Sequence, residues 1–308
     1  MGQVVEFVET PAERFEGLRD YPWAPRYVEV DPSGMRMHYV EAGPADGPVV
    51  LLLHGEPSWS YLYRHMIPVF AESGHRVVAP DLIGFGRSSK PTKVTDHSYA
   101  AHVAWVRGFL EALELTDITL FAQDWGSLIG LRLVAETDRF ARVAIGNGFL
   151  PKADKPEISL KTIGNIAAFM GWRTFARFTP RFVCSKVLQM GTGRTLKADE
   201  LHAYDAPFPD RRFLAGPRAM PQLVPLTPKD PARADQLAAW EKLERWDKPF
   251  LTLFSTGDPI MRGLDRVLQK AIPGTQGQPH QRVRGGHFLQ EDSGPELAAH
   301  VIQLIQRG

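Results

Sequence analysis

Short apolar runs and segments with helical spacing alternate along much of the chain. Residues 49–53 are continuously apolar, which is typical of a parallel strand covered on both faces. Residues 35–40 alternate between apolar and polar positions, which favours a half-exposed strand. The same reasoning predicts strands at residues 76–80, 117–121, 142–145, 250–254 and 281–283, and helices at residues 61–72, 99–113, 127–133 and 296–306. This alternation predicts an α/β fold with an open, mostly parallel central sheet flanked by helices.

The alternation stops between residues 149 and about 222. No clear strand pattern occurs there, and Gly171 and Pro180 are expected to break a helical stretch at residues 163–178. The segment follows the predicted strand that ends near Gly146, and loops at the carboxyl ends of parallel strands surround the binding site in such folds. We therefore predict a helical cap domain at residues 151–222, inserted after strand 6, and a core domain formed by residues 1–150 and 223–308.

The composition is that of an ordinary folded protein without a polyanionic partner. The chain has 308 residues, and its 36 Lys and Arg residues balance 35 Asp and Glu residues, so charge gives no reason to expect nucleic acid or an anionic membrane as a partner. The single cysteine, Cys184, cannot form an internal disulfide, which fits a reducing compartment. The chain shows no signal-peptide pattern and no apolar run near the ~20 residues of a spanning helix. We expect a cytoplasmic protein.

The most informative motif is a turn between the strand at residues 117–121 and the helix that follows it. Ala122 and Gly126 flank Asp124 two positions either side, as glycines flank the serine of a G-x-S-x-G turn. Small residues suit such a sharp, strained turn because its neighbours pack closely. A carboxylate at this position can form an ester with an alkyl carbon, which points to displacement at carbon rather than acyl transfer. The alternative is an aspartate that simply caps the helix.

Three further motifs follow predicted strands. His54-Gly55-Glu56 comes after the first apolar run and can point a backbone N–H into a site, with His54 orienting the turn. Asp258 precedes a proline after the strand at residues 250–254, and could be a plain turn residue. His287 lies on a glycine-rich turn after the last strand. The other histidines, such as His102, His202, His280 and His300, are expected to be solvated or structural.

The chain resembles a haloalkane dehalogenase of the α/β-hydrolase superfamily over nearly its whole length. Five segments carry the resemblance: HGEPSWSYLYR at 54–64, PDLIGFGRS at 80–88, QDWG at 123–126, YDAPFPD at 204–210 and GHF at 286–288. The resemblance implies the α/β-hydrolase fold with a helical cap after strand 6. It also implies hydrolysis of neutral haloalkanes to a primary alcohol, halide and a proton.

The resemblance assigns the catalytic roles residue by residue. Asp124 matches the family's nucleophile, and His287 matches the histidine that activates water. One subfamily has its acid after the seventh strand and a glutamate in the His-Gly-x-Pro loop, which matches Asp258 and Glu56. The other subfamily has its acid after the sixth strand, where this chain has Asn147 and no carboxylate. The resemblance therefore implies a catalytic triad of Asp124, Asp258 and His287.

The halide site and the pocket follow from the same resemblance. The family holds halide with the indole beside the nucleophile, which is Trp125, and with a tryptophan of the cap, for which Trp172 is the only candidate. The backbone N–H groups of Glu56 and Trp125 would form the oxyanion hole, and Met220 and Pro221 are expected to line the pocket. Neither a metal nor another cofactor is expected. The expected partners are a small haloalkane and water, with no nucleic acid or membrane, and the expected state is a monomer.

Other functions on the same scaffold make different demands on the residues. An epoxide hydrolase would need two cap tyrosines to protonate the epoxide oxygen, and the cap segment contains only Tyr204. A fluoroacetate-type dehalogenase would need an arginine after the nucleophile, where Trp125 stands. A luciferase-like oxygenase stays open at the level of motifs. A non-catalytic ligand receptor would have no reason to keep Asp124, Asp258 and His287 together, and halide release from a simple bromoalkane would distinguish it from an enzyme.

Overall fold

The fold is built on a central sheet that positions the ends of its strands along one edge. The computed structural model describes residues 5–153 and 160–307, and the side chains of these residues except those of 160–166. In this part of the chain the sheet has eight strands: β1 (Arg26–Glu29), β2 (Arg36–Ala42), β3 (Val49–Leu53), β4 (Arg76–Pro80), β5 (Ile118–Ala122), β6 (Phe140–Ile145), β7 (Phe250–Ser255) and β8 (Gln281–Val283).

The strand order makes the sheet mostly parallel. The strands lie side by side in the order β8-β7-β6-β5-β3-β4-β2-β1. The β2 strand is antiparallel to β1 and β4, and the strands from β4 across to β8 pair in parallel. In register, Leu53 lies opposite Ala122, Ala122 opposite Ile145, and Ile145 opposite Thr252. The loops that follow β3, β5 and β6 therefore start at the same level, and β7 extends three residues further, to Ser255.

The apolar run of β3 is explained by helices on both faces of the sheet. Successive strand residues point to opposite faces, and Leu51 and Leu53 belong to one buried cluster whereas Val50 and Leu52 belong to the other. The helices, in chain order, are α1 (Ile67–Glu72), α2 (Tyr99–Ala112), α3 (Trp125–Glu136), α4 (Leu160–Phe178), α5 (Cys184–Gly191), α6 (Ala198–Asp205), α7 (Ala215–Leu223), α8 (Arg233–Leu243), α9 (Leu264–Ala271) and α10 (Leu289–Arg307). The first cluster is covered by α2, α3 and α8, and the second by α1 and α10.

Five helices, α4 to α8, lie between β6 and β7 within the described ranges. The first four of them, α4 to α7, occupy the segment predicted to insert after strand 6, since β6 is the sixth strand of the sheet in chain order. In α7, Gly216 contacts the loop at Gly84, where added Cβ atoms would come within about 3 Å of the opposing backbone. None of the helices in the described residues combines the length and the apolar character that crossing a bilayer requires.

The predicted fold class is confirmed, with differences at particular elements. The β3, β4 and β8 strands have the predicted bounds. The prediction missed β1 because β1 is largely exposed and carries no apolar pattern. The predicted break at Gly171 is wrong, because α4 continues through Gly171 to Phe178; one glycine costs only about 1 kcal/mol in a helix interior. The last helix starts earlier than predicted, at Leu289, and is kinked at Ser293.

Candidate active site

Asp124 lies at the tight turn between β5 and α3. Its backbone has φ 50° and ψ −126°, outside the regions that L-residues commonly adopt. Its N–H donates to the carbonyl of Asn147 at 3.1 Å, which ties the turn to the end of β6. Gly126 allows this turn, because a Cβ there would lie 2.0 Å from the carbonyl oxygen of Leu53. Backbone strain at a carboxylate in this position is typical of a functional turn.

The loop after β3 holds the Asp124 carboxylate from the other side. The N–H of Glu56 donates to Asp124 Oδ1 at 2.8 Å. This approach needs Gly55, since a Cβ there would lie 2.4 Å from the same oxygen. Such an N–H can hold a carboxylate in one state and a developing oxyanion in another. The N–H of Trp125, at the first turn of α3, belongs to the donors that a helix leaves without an internal partner.

His287 connects Asp124 with Asp258. Its Nδ1 lies 2.8 Å from Asp258 Oδ2, and its Nε2 lies 3.5 Å from Asp124 Oδ2. The other oxygen of Asp258 accepts from the backbone N–H groups of Ile260 and Met261, at 2.7 and 3.2 Å. The three residues placed by the sequence after β5, β7 and β8 are therefore in one chain of polar contacts. This arrangement can orient an imidazole and stabilise a positive charge on it.

The charges around His287 act on its proton affinity in opposite directions. Burial lowers the pKa of His287, but hydrogen bonds and charge from Asp124 and Asp258 outweigh burial and raise the pKa to about 10. Burial raises the pKa of Asp258, and the hydrogen bond and charge of His287 together with the two backbone donors bring the pKa below its ordinary value. Asp258 therefore remains a carboxylate that faces Nδ1.

The Glu56 side chain is buried beside the nucleophile. Burial, and then the charge of Asp124, raise the pKa of Glu56 well above its ordinary value. Its Oε1 atom is buried and has no hydrogen-bond partner among the described residues. Burial beside Asp124 thus favours the neutral form of the Glu56 carboxyl.

The two tryptophans predicted to bind halide are in different surroundings. Trp125 is 3 % exposed and packs edge-on against Tyr99 at 5.3 Å. Three other indoles, those of Trp59, Trp105 and Trp240, donate to protein oxygens, whereas no acceptor for the Trp125 indole lies within the described residues.

The cap tryptophan packs among aromatic residues. Trp172 stacks on Phe175 at 5.8 Å and lies at a tilt to Phe182 at 6.0 Å. It packs against a small buried cluster that includes Cys184 and Leu214. It lies on α4, within the segment predicted to form the cap, and its part in halide binding stays a prediction.

The residues predicted to line the pocket are both buried in α7. Met220 is fully buried in the apolar cluster that also contains Trp125 and Leu150. Pro221 is buried one position later, inside the same helix. This cluster extends over much of the core, so the place of Met220 and Pro221 in a pocket wall stays a prediction.

Two buried amides that the sequence analysis did not single out also contact the histidine loop. Asn147 Nδ2 donates to the carbonyls of Gly286 and His287 at 2.8 and 3.0 Å. Gln123 Nε2 lies 3.1 Å from His287 Nε2 and 3.3 Å from the His287 carbonyl. Their positions beside the elbow and after β6 were visible in the sequence, but their contacts depend on how the strand ends align.

The end of α5 and the segment after it are joined to the loop that carries His287 by contacts with the backbone. The N–H of Phe288 donates to the carbonyl of Gly191, and a Cβ at Gly286 would lie 2.3 Å from that carbonyl oxygen. The Asp292 carboxylate accepts from the N–H groups of Gly193, Arg194 and Gly286 at 2.8, 2.9 and 2.8 Å. The segment between α5 and α6 is therefore held against the loop that carries His287.

A buried ionic cluster reinforces the same junction. Arg64 from the loop after β3 pairs with Glu200 of α6 and with Glu291 of α10. Arg194 pairs with the same two carboxylates, and the hydroxyl of Tyr204 donates to Glu291. Two guanidinium groups already satisfy these two carboxylates, so the cluster is better explained as a structural link between α6, α10 and the loop after β3 than as a metal site.

The matching family model, the similar relatives and the similar solved structure agree with one another. A family model described as the α/β-hydrolase fold matches residues 48–294. The chain is 52% identical to a haloalkane dehalogenase of Mycobacterium marinum over 302 residues, covering 97% of this chain and 99% of the relative. It is also 52% identical to haloalkane dehalogenase 1 of Mycobacterium tuberculosis over 306 residues, covering 98% and 99%. The tetrameric structure of haloalkane dehalogenase DpaA from Paraglaciecola agarilytica aligns with a TM-score of 0.87 at 31% identity, over 97% of this chain and 98% of that one.

Proposed function

Given that this chain belongs to the haloalkane dehalogenase family of α/β hydrolases, we propose that it hydrolyses neutral haloalkanes through an alkyl ester on Asp124. The observation that carries this proposal is the position of His287 between two carboxylates, with Asp258 on Nδ1 and Asp124 facing Nε2. A carboxylate can attack an alkyl carbon, and the histidine can later activate water against the resulting ester.

The first step is displacement of halide at the alkyl carbon. Asp124 is held by the Glu56 N–H through Oδ1, and Oδ2 attacks the carbon opposite the halogen. The carbon–oxygen bond forms as the carbon–halogen bond breaks, and the electron pair leaves with the halide. Indole N–H groups of Trp125 and Trp172 stabilise the leaving anion. The indole ring has an N–H donor and no hydrogen-bond acceptor, so it suits an anion in an apolar pocket.

The second step is hydrolysis of the ester. His287 Nε2 takes a proton from water, and the resulting hydroxide attacks the carbonyl carbon of the Asp124 ester. The backbone N–H groups of Glu56 and Trp125 hold the oxyanion. Asp258 keeps the imidazole oriented through Nδ1 and stabilises the imidazolium. The tetrahedral intermediate breaks its bond to the alkyl oxygen, and the departing alkoxide takes the proton of the hydroxyl group that water supplied. This step regenerates the Asp124 carboxylate and releases the alcohol, and the proton on His287 passes to solvent, one per turnover.

The surroundings of Asp124 favour an uncharged substrate. Trp125 follows the nucleophile where an arginine could have held a substrate carboxylate, and the ionisable neighbours that act on Glu56 are Asp124 and His287. An anionic substrate would meet the charge of Asp124 without a dedicated cation. We further propose that residues 151–222 act as the cap domain over a core of residues 1–150 and 223–308, with Met220 and Pro221 in the pocket wall.

We expect the wild-type protein to release bromide from 1,2-dibromoethane catalytically. The Asp124→Asn variant should release none above the rate of the buffer, because an amide oxygen is a far weaker nucleophile toward carbon. Asp138→Asn is a suitable control, since Asp138 lies beyond the opposite end of α3. Bromide release that survives in Asp124→Asn would contradict the assigned nucleophile, and an inactive wild type with a folded spectrum would contradict the proposed activity.

We expect Trp172→Phe to slow carbon–halogen cleavage by about one to two orders of magnitude. The substitution keeps an aromatic ring and removes one N–H donor, and a hydrogen bond to a charged group contributes roughly 1.5–3 kcal/mol. Single-turnover bromide release measures the step, and saturable quenching of tryptophan fluorescence by bromide or iodide measures halide affinity. Trp246→Phe is the control, because Trp246 lies near the carboxyl end of α3, away from the elbow. If Trp172→Phe retains both full activity and halide affinity, the second donor is another residue.

A further inference from the structure

Gln123 is a fully buried amide placed beside the base. It precedes the nucleophile in the chain, and its backbone N–H donates to the carbonyl of Leu53 at 3.3 Å. Its side-chain nitrogen lies 3.1 Å from His287 Nε2 and 3.3 Å from the His287 carbonyl oxygen. Burying a primary amide is unfavourable unless it makes hydrogen bonds. The two contacts with His287 satisfy the donors of this buried amide, and they also place an N–H group beside Nε2 of the base.

The orientation of the Gln123 amide is fixed by its neighbour. A backbone carbonyl only accepts hydrogen bonds, so the group next to the His287 carbonyl must be the NH₂ and not the oxygen. The second hydrogen of the same NH₂ can then point at His287 Nε2. The Gln123 oxygen, Oε1, has no hydrogen-bond partner among the described residues. The amide is thus a donor toward the imidazole.

A donor at Nε2 selects one protonation state of the histidine. Nε2 can accept this hydrogen bond only with its lone pair free, which requires neutral imidazole with its proton on Nδ1. That tautomer matches the Asp258 carboxylate at Nδ1. The imidazolium would place two N–H groups against each other at 3.1 Å. Gln123 therefore acts against the ionisable groups that favour the imidazolium, which are Asp124 at the elbow and Asp258 after β7; Glu56, after β3, also faces the site.

We propose that Gln123 is a positioning residue that shifts His287 toward its neutral form, with Nε2 free of a proton, so that the base is available when the ester must be hydrolysed. This inference rests on the two-step scheme proposed above, in which His287 is the base of the second step. Before the first step, the neutral form of His287 leaves Asp124 without an ion pair and able to attack. After the first step, Nε2 exchanges the Gln123 donor for water and takes the proton of that water.

The same amide offers a second arrangement once the proton has moved. Rotation of the Gln123 side-chain amide by half a turn presents Oε1 to Nε2–H, so the unpartnered oxygen becomes an acceptor for the imidazolium. That arrangement costs the contact between NH₂ and the His287 carbonyl. The imidazolium is thus tolerated but not favoured, and loss of the proton to solvent restores the first arrangement.

The test is a direct titration of His287 by NMR in the free enzyme, with the His287→Phe spectrum used to assign the signal. Gln123→Met has a similar volume and removes the N–H donor that opposes the imidazolium. The pKa of His287 should therefore rise by about one unit, which corresponds to about 1.36 kcal/mol. Gln123→Glu replaces the donor with an acceptor and should raise the pKa further. Gln290→Met is the matched control, since Gln290 is equally buried but lies near Tyr63, and it should leave the pKa unchanged.

A kinetic readout accompanies the titration. Hydrolysis of the ester needs neutral His287, so the hydrolysis rate rises as the pH passes the His287 pKa. A higher pKa moves this rising limb of the pH–rate profile to higher pH. Below the limb, Gln123→Met should hydrolyse the ester about tenfold more slowly than wild type, with hydrolysis nearly equal above it. An unchanged His287 pKa in both Gln123 variants overturns the proposal, as does a uniform loss of activity without a shift in pH. The titration uses no substrate, so a failure of the ester mechanism itself would appear separately, as wild-type turnover without any alkylated intermediate.

Discussion

His287→Phe will release one equivalent of bromide from 1,2-dibromoethane per active site and then stop. The first step requires the Asp124 carboxylate and the halide donors, and none of these groups is changed. The second step requires a base at Nε2, and phenylalanine has none. The ester should therefore accumulate, with steady turnover lower than in wild type by several orders of magnitude. This is the largest effect that we expect from one substitution.

A control variant with the same substitution at another histidine tests whether the effect is specific to His287. His300 lies on α10 and pairs at 3.9 Å with Glu296 of the same helix, so His300→Phe should turn over like wild type. Rapid-quench measurement of bromide gives the burst, and steady-state bromide release gives the residual turnover. A linear time course without a burst would show that His287 is needed before the halide leaves.

Asp258→Asn will impair hydrolysis of the ester more than its formation. An amide can still hydrogen-bond the imidazole, but it can select the wrong tautomer and cannot stabilise the imidazolium. The equivalent change in serine proteases lowers kcat by about 10⁴-fold, and we expect a loss of comparable order in the hydrolysis step. Asp258 is buried beside its two backbone donors, so solvent cannot stabilise the imidazolium once the carboxylate charge has been removed.

The experiment for Asp258→Asn compares the two steps in one variant. Bromide release in the first turnover should stay within about tenfold of wild type, while steady turnover should fall far more. Asp265→Asn is the control, because Asp265 is also buried but pairs with Arg282 instead of a histidine. Steady turnover within a fewfold of wild type would place the catalytic acid elsewhere.

The sequence predicted the residues at the strand ends because parallel strands impose a common edge. The apolar runs located β3, β5 and β7, and their parallel pairing puts the loops that carry Glu56, Asp124 and Asp258 on the same edge of the sheet. The turn between β5 and α3 was recognisable because the small residues Ala122 and Gly126 flank Asp124. The structure explains the need for Gly126, since a Cβ there would lie 2.0 Å from the carbonyl oxygen of Leu53. Local patterns of this kind are contained in a few adjacent residues, so a single sequence reveals them.

The contacts that the sequence did not reveal lie between segments far apart in the chain. Gln123 and His287 are separated by 164 positions, and nothing in the spacing of either motif brings an amide to Nε2. Asp292 binds the segment after α5 and the histidine loop through backbone N–H groups, which carry no signal in the sequence. The continuation of α4 through Gly171 also depends on the length of the whole helix and not on one residue.

The alkyl group on Asp124 is the most direct test of the proposed mechanism. The His287→Phe variant is treated with 1,2-dibromoethane, stopped in acid after the burst, and digested with pepsin at low pH so that the ester survives. Fragmentation of the peptide that contains Asp124 should place a 2-bromoethyl group on that residue, in an amount equal to the bromide released. A burst of bromide that leaves the Asp124 peptide unmodified, or an alkyl group on another residue, would contradict the account.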